Sequence, residues 1–369
     1  MSIRVPLHEV RDRSYDILID RALLARLPAL VAERCPAARY ALISDSHVST
    51  LYGEPLAAAL RGAGMSAELF TFPAGERNKT RETWTALCDR LLAAQVGRDG
   101  AVIAVGGGVT GDVAGFVAAT YHRGIPWVQV PTTLLAMIDS SIGGKTGVDT
   151  PHGKNLLGAF HQPRLVLADL DTLATLPTPQ LGAGMAEAIK HAAIADADYF
   201  ATLERADVPL TREPAALERA VARSVEIKAE IVSADEREQG RRAVLNFGHT
   251  VGHALEATSG YALLHGEAVA IGMVVEARLA EALRVAESGT ARRIATALQH
   301  HRLPTSIPEG CAADPLIAAM RHDKKARDGV LRFALPVRVG EMRVAQGREW
   351  TVAVPDALVR QMVEDRAAN

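Results

Sequence analysis

Aromatic residues are scarce in this chain of 369 residues, at 4%, so the core must be built mainly from Ala, Val, Leu and Ile. Cysteine is scarcer still. Cys35, Cys88 and Cys311 lie far apart and make no C-x-x-C pair, which excludes a disulfide framework and a thiolate metal cluster and favours a reducing compartment. Charge of one sign is also missing. A formal net charge of −2 argues against strong affinity for nucleic acid, so any basic groups that matter should serve a small anion. The N-terminal stretch MSIRVPLHEVRDRSYDILID has no apolar core, and no signal peptide is visible. No long hydrophobic run is suited to spanning a membrane: the nearest, AVIAVGGGVTGDVAGFVAAT, is interrupted by its glycines and by Asp112. With 48% hydrophobic and 23% charged residues, the composition is that of a globular protein of about two domains. The expectation is a cytoplasmic enzyme with neither a nucleic-acid nor a membrane partner.

Short β-like runs alternate with helical ones through the first half. ARYALISDS (38–46), AELFTF, GAVIAVGGG, PWVQVPTT and LVLADLDTL read as strands, and RETWTALCDRLLAAQ as an amphipathic helix. Strands apolar on both faces and separated by helices indicate a parallel sheet covered on both sides. Near LATLPTPQLGAG the character changes, and Pro177, Pro179, Gly182 and Gly184 suggest a boundary. Beyond it Ala, Leu, Glu and Arg recur at helical spacing, with a small hairpin expected around Gly340. The predicted organisation is an α/β domain over 1–177, a mostly α-helical domain over 178–369, and a cleft between them.

Gly106, Gly108 and Gly111 fall at G-x-G-x-x-G spacing directly after a strand and before a helix, where backbone amides and the helix dipole suit a pyrophosphate. The same glycines would also serve a tight turn with no ligand. The acid expected about 20 residues further on is absent, since that region reads QVPTT, so the ribose acid could instead be Asp45 in SDSH, at an earlier strand end. PAGERNKT places Glu76 and Lys79 after another strand, as a ligand-binding loop or as a solvated helix start. DSSIGGKTGVDTPHGKNLLGAFHQP sets Asp139, Lys145, Lys154 and Asn155 among glycines with little periodicity, and predicts a long irregular loop, more often functional than idle.

NFGHTVGHALE puts His249 and His253 four residues apart, on one face of a helix. The glutamate of the H-E-x-x-H protease motif is replaced by Thr250. Three O or N donors with an open position would make a catalytic zinc site. Candidates are Glu187, His249, His253, His265 and Glu267, with Glu187 and His191 as a further i, i+4 pair. Spacing cannot choose between His249 and His253.

The stretches GERNKT, GGGVTGDVAGFVAATYHRGI, QVPTTLLAMIDSSIGGKTGVD, GKNLLGAFHQP, GMAEAIKH, NFGHTVGHALE, HGEAVAIGM and HDKK run in order from about residue 75 to 325. In that combination the chain resembles the 3-dehydroquinate synthases, within the wider sugar phosphate cyclases. The resemblance implies a Rossmann-like NAD-binding domain, a helical domain holding zinc (or cobalt in its place), and an active site between them. It implies metal ligands at Glu187, His249 and His265. Around NAD it implies Asp45, Gly75, Glu76, Lys79, Gly107, Gly108, Val109, Thr110, Gly111, Asp112, Thr132, Thr133, Lys145, Lys154, Thr172, Leu173 and Thr175. Facing substrate it implies Arg123, Asp139, Lys145, Asn155, Lys190, Lys228, Arg242, Asn246, His253 and the Asp323-Lys324-Lys325 segment. The implied partner is a sugar phosphate, 3-deoxy-D-arabino-heptulosonate 7-phosphate. The implied assembly is a homodimer in which Arg123 reaches the neighbouring subunit's site.

Three rival readings share much of this pattern. A valiolone- or inosose-type cyclase acts on substrates without a carboxylate, against which Arg242 with Lys228 speaks. A glycerol dehydrogenase-type enzyme would release NADH stoichiometrically. A decayed binding protein would not be expected to keep Glu187, Lys190, His249, His253 and His265 together.

Overall fold

The computed structural model describes residues 12–151, 153–205, 214–260, 262–322, 330–345 and 349–365. In the first half the chain forms β1 (Asp16–Asp20), β2 (Tyr40–Asp45), β3 (Ala67–Phe72), β4 (Ala101–Gly106), β5 (Trp127–Pro131), a hairpin of β6 (Lys145–Thr150) and β7 (Gly153–Phe160), and β8 (Leu165–Asp169). Six of these strands make one sheet in the order β1-β8-β5-β4-β2-β3, with every pairing parallel. β4, β5 and β8 are buried throughout and β2 up to its last residue, as parallel strands covered on both faces must be. Their apolar runs are the ones the sequence marks.

The edge strand β1, DILID, carried no such mark. It is short, flanked by aspartates and only partly buried, so neither alternation nor a continuous apolar run singles it out. A second departure is the glycine-rich segment, which is an antiparallel hairpin for most of its length rather than an irregular loop. Gly147 pairs with Gly158 and Lys145 with Phe160. Thr146, Gly147 and Val148 of β6 are buried while most of β7 is open, because β6 lies against the Gly108–Thr120 helix. Tertiary packing, which leaves no periodic signature in a run of glycines, makes this element.

β3 follows β2 on one side of the sheet and β4 returns on the other. The winding therefore reverses between β2 and β4, and their C-terminal ends frame the crevice where open α/β sheets bind ligands. Asp45 ends β2 and Gly106 ends β4.

Helices dominate after β8, among them Thr178–Ala195, Pro214–Ala234, His249–Thr258, His265–Ala282 and Thr290–His300. The expected small hairpin forms between Pro336–Arg338 and Glu341–Met342, with Gly340 at φ +87° in the turn. Two helices approach unusually closely: a Cβ at Gly272 of the His265–Ala282 helix would lie 1.9 Å from the carbonyl oxygen of Gly248. Only glycine fits there. The two halves of the chain share one core, in which Leu134, Met137, Ile138 and Ile142 pack with Ala186, Ile189 and Phe247. Among the described residues no helix is long and apolar enough to cross a membrane.

Candidate active site

Glu187, Lys190 and His191, at i, i+3 and i+4 of the Thr178–Ala195 helix, share one face and are essentially inaccessible to solvent. His249 opens the His249–Thr258 helix and His265 the helix that follows it. Donor atoms of Glu187, His249 and His265 all lie within 4.8 Å of one another. Glu187 Oε1 is 3.5 Å from His249 Nε2 and 3.3 Å from His265 Nε2, yet no hydrogen-bond donor is aligned with this buried oxygen.

The far side of each imidazole explains its orientation. His249 Nδ1 is 3.2 Å from the Phe247 carbonyl, and His265 Nδ1 is 3.2 Å from Glu256 Oε2. With Nδ1 directed outward at an acceptor, each Nε2 faces the Glu187 carboxylate, the orientation of metal-ligating histidines held by an outer acceptor. Burial, with the Lys190 ammonium nearby, pushes His249 well below the usual histidine range, so its ring is neutral. Burial works against a charge on His265 as well, but Glu256 and Glu187 outweigh it and raise this histidine to about 10. Lys190 Nζ pairs with the other carboxylate oxygen, Glu187 Oε2, which leaves Oε1 and the two Nε2 atoms as three donors around one point, an arrangement a divalent cation fits.

Two alternative donor groups also exist: His253, Glu256 and His265, and Asp139, Glu187 and His191. In the first, Glu256 is already paired through both oxygens, with Lys154 Nζ at 2.9 Å and His265 Nδ1 at 3.2 Å. In the second, Lys190 Nζ and Lys228 Nζ stand 3.6 and 2.7 Å from Asp139 Oδ1, so the carboxylate is already neutralised. His253 lies beside the first group, its ring centre 5.3 Å from that of His249 and 6.0 Å from that of His265.

Asp139 lies on the wide turn Ala136–Ser140, a π-type geometry common at functional sites. Burial would raise its pKa, but Lys190, Lys228 and His191 hold it well below the usual carboxylate range. His191 Nε2 is 3.2 Å from the same oxygen. Arg242, 2% exposed, donates to the carbonyls of Glu236 and Gly143 and forms no ion pair with a carboxylate among the described residues. Gly143 permits this: its φ is +99°, and a Cβ there would sit 2.3 Å from Arg242 Nη2. Asn246 donates to Glu238, which also pairs with Lys145.

The crevice between β2 and β4 collects most of the residues expected around a nucleotide. Asp45 accepts from the amides of His47 and Val48 and from the Thr110 hydroxyl. Gly107 caps the Gly108–Thr120 helix without a side chain, leaving its first amides open, with Val109 and Gly111 in the first turn. Lys79, almost wholly buried, pairs with Asp112 at 2.6 Å and donates to Asn155. Burial opposes its charge, but Asp112 and Glu76 hold the ammonium above its ordinary range. Gly75, at φ +103°, leads into the Glu76 turn. Thr132 follows β5 with its buried hydroxyl unpartnered, whereas Thr133 caps the next turn through Ala136 N. Thr172, Leu173 and Thr175 lie on the turn after β8, where Tyr52 bonds to Thr175 at 2.7 Å.

Arg123 is not brought to these groups. It occupies an exposed turn at φ +68° and joins none of the cluster's ion pairs among the described residues. Asp323, Lys324 and Lys325 lie outside the described residues.

The family model for the 3-dehydroquinate synthase N-terminal region matches residues 69–183, and that for the C-terminal region matches residues 184–326. A 3-dehydroquinate synthase of Symbiobacterium thermophilum is 51% identical over 339 residues, 91% of this chain and 95% of its own. The chain belongs to the 3-dehydroquinate synthase family. Its reaction is therefore that of a phosphate-eliminating lyase of the shikimate pathway, from 3-deoxy-D-arabino-heptulosonate 7-phosphate to 3-dehydroquinate. Among solved structures, the 2-epi-5-epi-valiolone synthase ValA of Streptomyces hygroscopicus, with NAD+ and Zn2+ bound, is 32% identical at a TM-score of 0.87, covering 97% of this chain and 98% of its own. A 2-deoxy-scyllo-inosose synthase with carbaglucose-6-phosphate, NAD+ and Co2+ is 28% identical at 0.85, covering 96% and 97%.

Three carboxylates of this synthase take on a role only in the structure: Glu238, Glu256 and Glu276. Glu256 carried a usable signal, since it follows His249 by seven residues on the same helix face. Glu276, an acid in the apolar run MVVEA, carried a weaker one.

Proposed function

We propose that the reaction takes place where the two halves of the chain meet, with NAD in the β2–β4 crevice and a divalent metal, zinc or cobalt, on Glu187, His249 and His265. The observation that carries this reading is the pair of imidazoles, each with Nδ1 held by an acceptor and Nε2 directed at one orphaned glutamate oxygen. NAD+ with Zn2+ in the valiolone synthase, and with Co2+ in the inosose synthase, supports the cofactor pair. When bound, the metal supplies a Lewis acid for substrate hydroxyls, and NAD supplies a hydride acceptor restored within the same turnover.

The chain's own residues do the rest. The glycine turn and the amides of the Gly108–Thr120 helix hold the pyrophosphate, Asp45 the ribose, and Glu76, Lys79, Lys154, Thr132, Thr133 and the Thr172–Thr175 turn enclose the cofactor. Lys190 and Lys228, held on Asp139, keep cations beside the departing phosphate, with Lys145, Asn155 and His253 completing the anion's surroundings through charge-assisted hydrogen bonds. Arg242 clamps the substrate carboxylate, because its guanidinium is fixed by backbone carbonyls and lacks a carboxylate of its own among the described residues. Asn246 stands one turn before His249 on the substrate side. The exposed Arg123 serves the neighbouring subunit of a homodimer. We place the domain boundary at Pro177, where the sheet has ended and the first long helix begins, and the enzyme in the cytoplasm, in accord with its free cysteines.

A carboxylate-binding Arg242 favours the heptulosonate over the carboxylate-free sugar phosphates of the valiolone and inosose synthases. The test is incubation with heptulosonate phosphate, NAD and zinc. Phosphate release with 3-dehydroquinate formation and no net absorbance at 340 nm is expected. Stoichiometric NADH, or equal turnover of a carboxylate-free heptulose phosphate, would overturn the reading.

A further inference from the structure

Glu256 contacts a residue from each half of the site, and so joins them. It is 2% exposed, two turns beyond His249 on the same helix. Its two oxygens point in opposite directions: Oε2 is 3.2 Å from His265 Nδ1, and Oε1 is 2.9 Å from Lys154 Nζ. Lys154 belongs to β7 in the other half of the chain, and its ammonium also meets Glu76 Oε1 at 2.9 Å. Carboxylate, imidazole and ammonium thus form one line from the crevice to the donor cluster.

We infer that Glu256 is a positioning residue for His265, held in place across the domain junction by Lys154. This rests on the ligand set proposed above. An imidazole with a free Nδ1 can flip or change tautomer; accepting from Nδ1–H fixes both, and makes Nε2 a better donor. A glutamate side chain has rotamer freedom of its own, and burial alone would not aim it. Lys154 removes that freedom by fixing the second oxygen. The cation also offsets the cost of burying the Glu256 carboxylate, since a buried charge must be paired. Lys154 therefore acts on the metal through Glu256, without touching a ligand.

The test uses the full chain stripped of metal by chelator dialysis and titrated with Co2+, following its visible spectrum and dissociation constant. Glu256→Gln should weaken Co2+ binding about 10–100-fold, the range for outer partners of metal ligands, and alter the spectrum. Lys154→Met should weaken it less. The double variant should match Glu256→Gln alone, since two residues acting along one path are not additive. Co2+ binding within threefold of wild type in Glu256→Gln, or additive losses in the double variant, would overturn the inference. Lys154→Met approaches the contact from the other side, so a Glu256 variant that failed to fold would leave the question open to it: unchanged Co2+ binding there also refutes the link. Glu187→Gln in parallel reads the ligand set by itself. If Glu187→Gln loses Co2+ and Glu256→Gln does not, only the positioning role falls; if Glu187→Gln binds normally, the ligand set falls and the inference with it.

Discussion

Glu276→Gln should loosen the metal site from behind. Glu276 is fully buried on the His265–Ala282 helix, and its carboxylate accepts from the amides of Gly248 at 2.8 Å, Thr250 at 3.1 Å and Val251 at 3.3 Å. Those amides open the His249–Thr258 helix, whose N-cap Gly248 has no side chain to offer. The glutamate thus caps a neighbouring helix and fixes the turn that carries His249. An amide in its place keeps one acceptor oxygen but turns an NH2 toward a donor. Leaving one buried N–H unsatisfied costs about 1–3 kcal/mol, and the lost charge at a helix N-terminus adds up to about 2 kcal/mol. The expected destabilisation is about 1–5 kcal/mol. Urea unfolding of the metal-free protein, followed by circular dichroism, should show a lower midpoint, and Co2+ titration should show weaker binding because the His249 turn is less well fixed. If Glu276 were simply a costly buried charge, its neutralisation would raise the midpoint. A raised or unchanged midpoint with normal Co2+ affinity refutes the reasoning.

His249→Ala should lose bound zinc, while His253→Ala should keep it and lose turnover; metal analysis of both purified variants decides, and equal zinc in the two would refute the split. Arg242→Ala should weaken binding of the heptulosonate about 10–100-fold, from one charge-assisted pair, and leave NAD affinity near normal, as read by calorimetry with each ligand. Burial, resisted by Asp139 and helped by Lys190, lowers Lys228 to about 8. Its cation is present below that pH and lost above it, so apparent substrate affinity should fall as pH rises through 8. Lys228→Met should bind more weakly throughout and show no such limb.

Legibility in the sequence followed the distance over which each feature is determined. β2, β4, β5 and β8 stand out because a strand buried on both faces is apolar throughout, a property of five or six adjacent residues. β1 takes its order from β8 and from the core that its Ile17 and Ile19 meet, and the β6–β7 hairpin takes its order from the helix beneath it, so neither is patterned locally. The same limit divides the site. Residue types at Glu187, His249, His253 and His265 were visible as metal donors, but the choice among them depends on what stands behind each ring. For His249 that acceptor is the Phe247 carbonyl, two residues away; for His265 it is Glu256, on a different helix.

The packing of the two histidine helices connects these points. Gly248 lies against Val269 and Met273, Gly252 against Ala268, and Glu256 beside His265. Contacts that descend along one helix as they ascend along the other define an antiparallel pair. Gly248 and Gly252 are four apart, one turn of a single face, and each removes a side chain from the contact where the backbones come closest. A Cβ at Gly252 would stand 3.1 Å from the Ala268 carbonyl. His249 and His253 share that four-residue period, displaced by one position, so the stripe that brings the helices together also sets the histidines at its border. Close approach near Gly248 and Gly272 brings His249 within reach of a ligand shared with His265. The hairpin's other end then places Glu256 behind His265, on the side away from Glu187. In GHTVGH the glycines therefore carry the helix contact, and the metal role proposed for His249 depends on that contact.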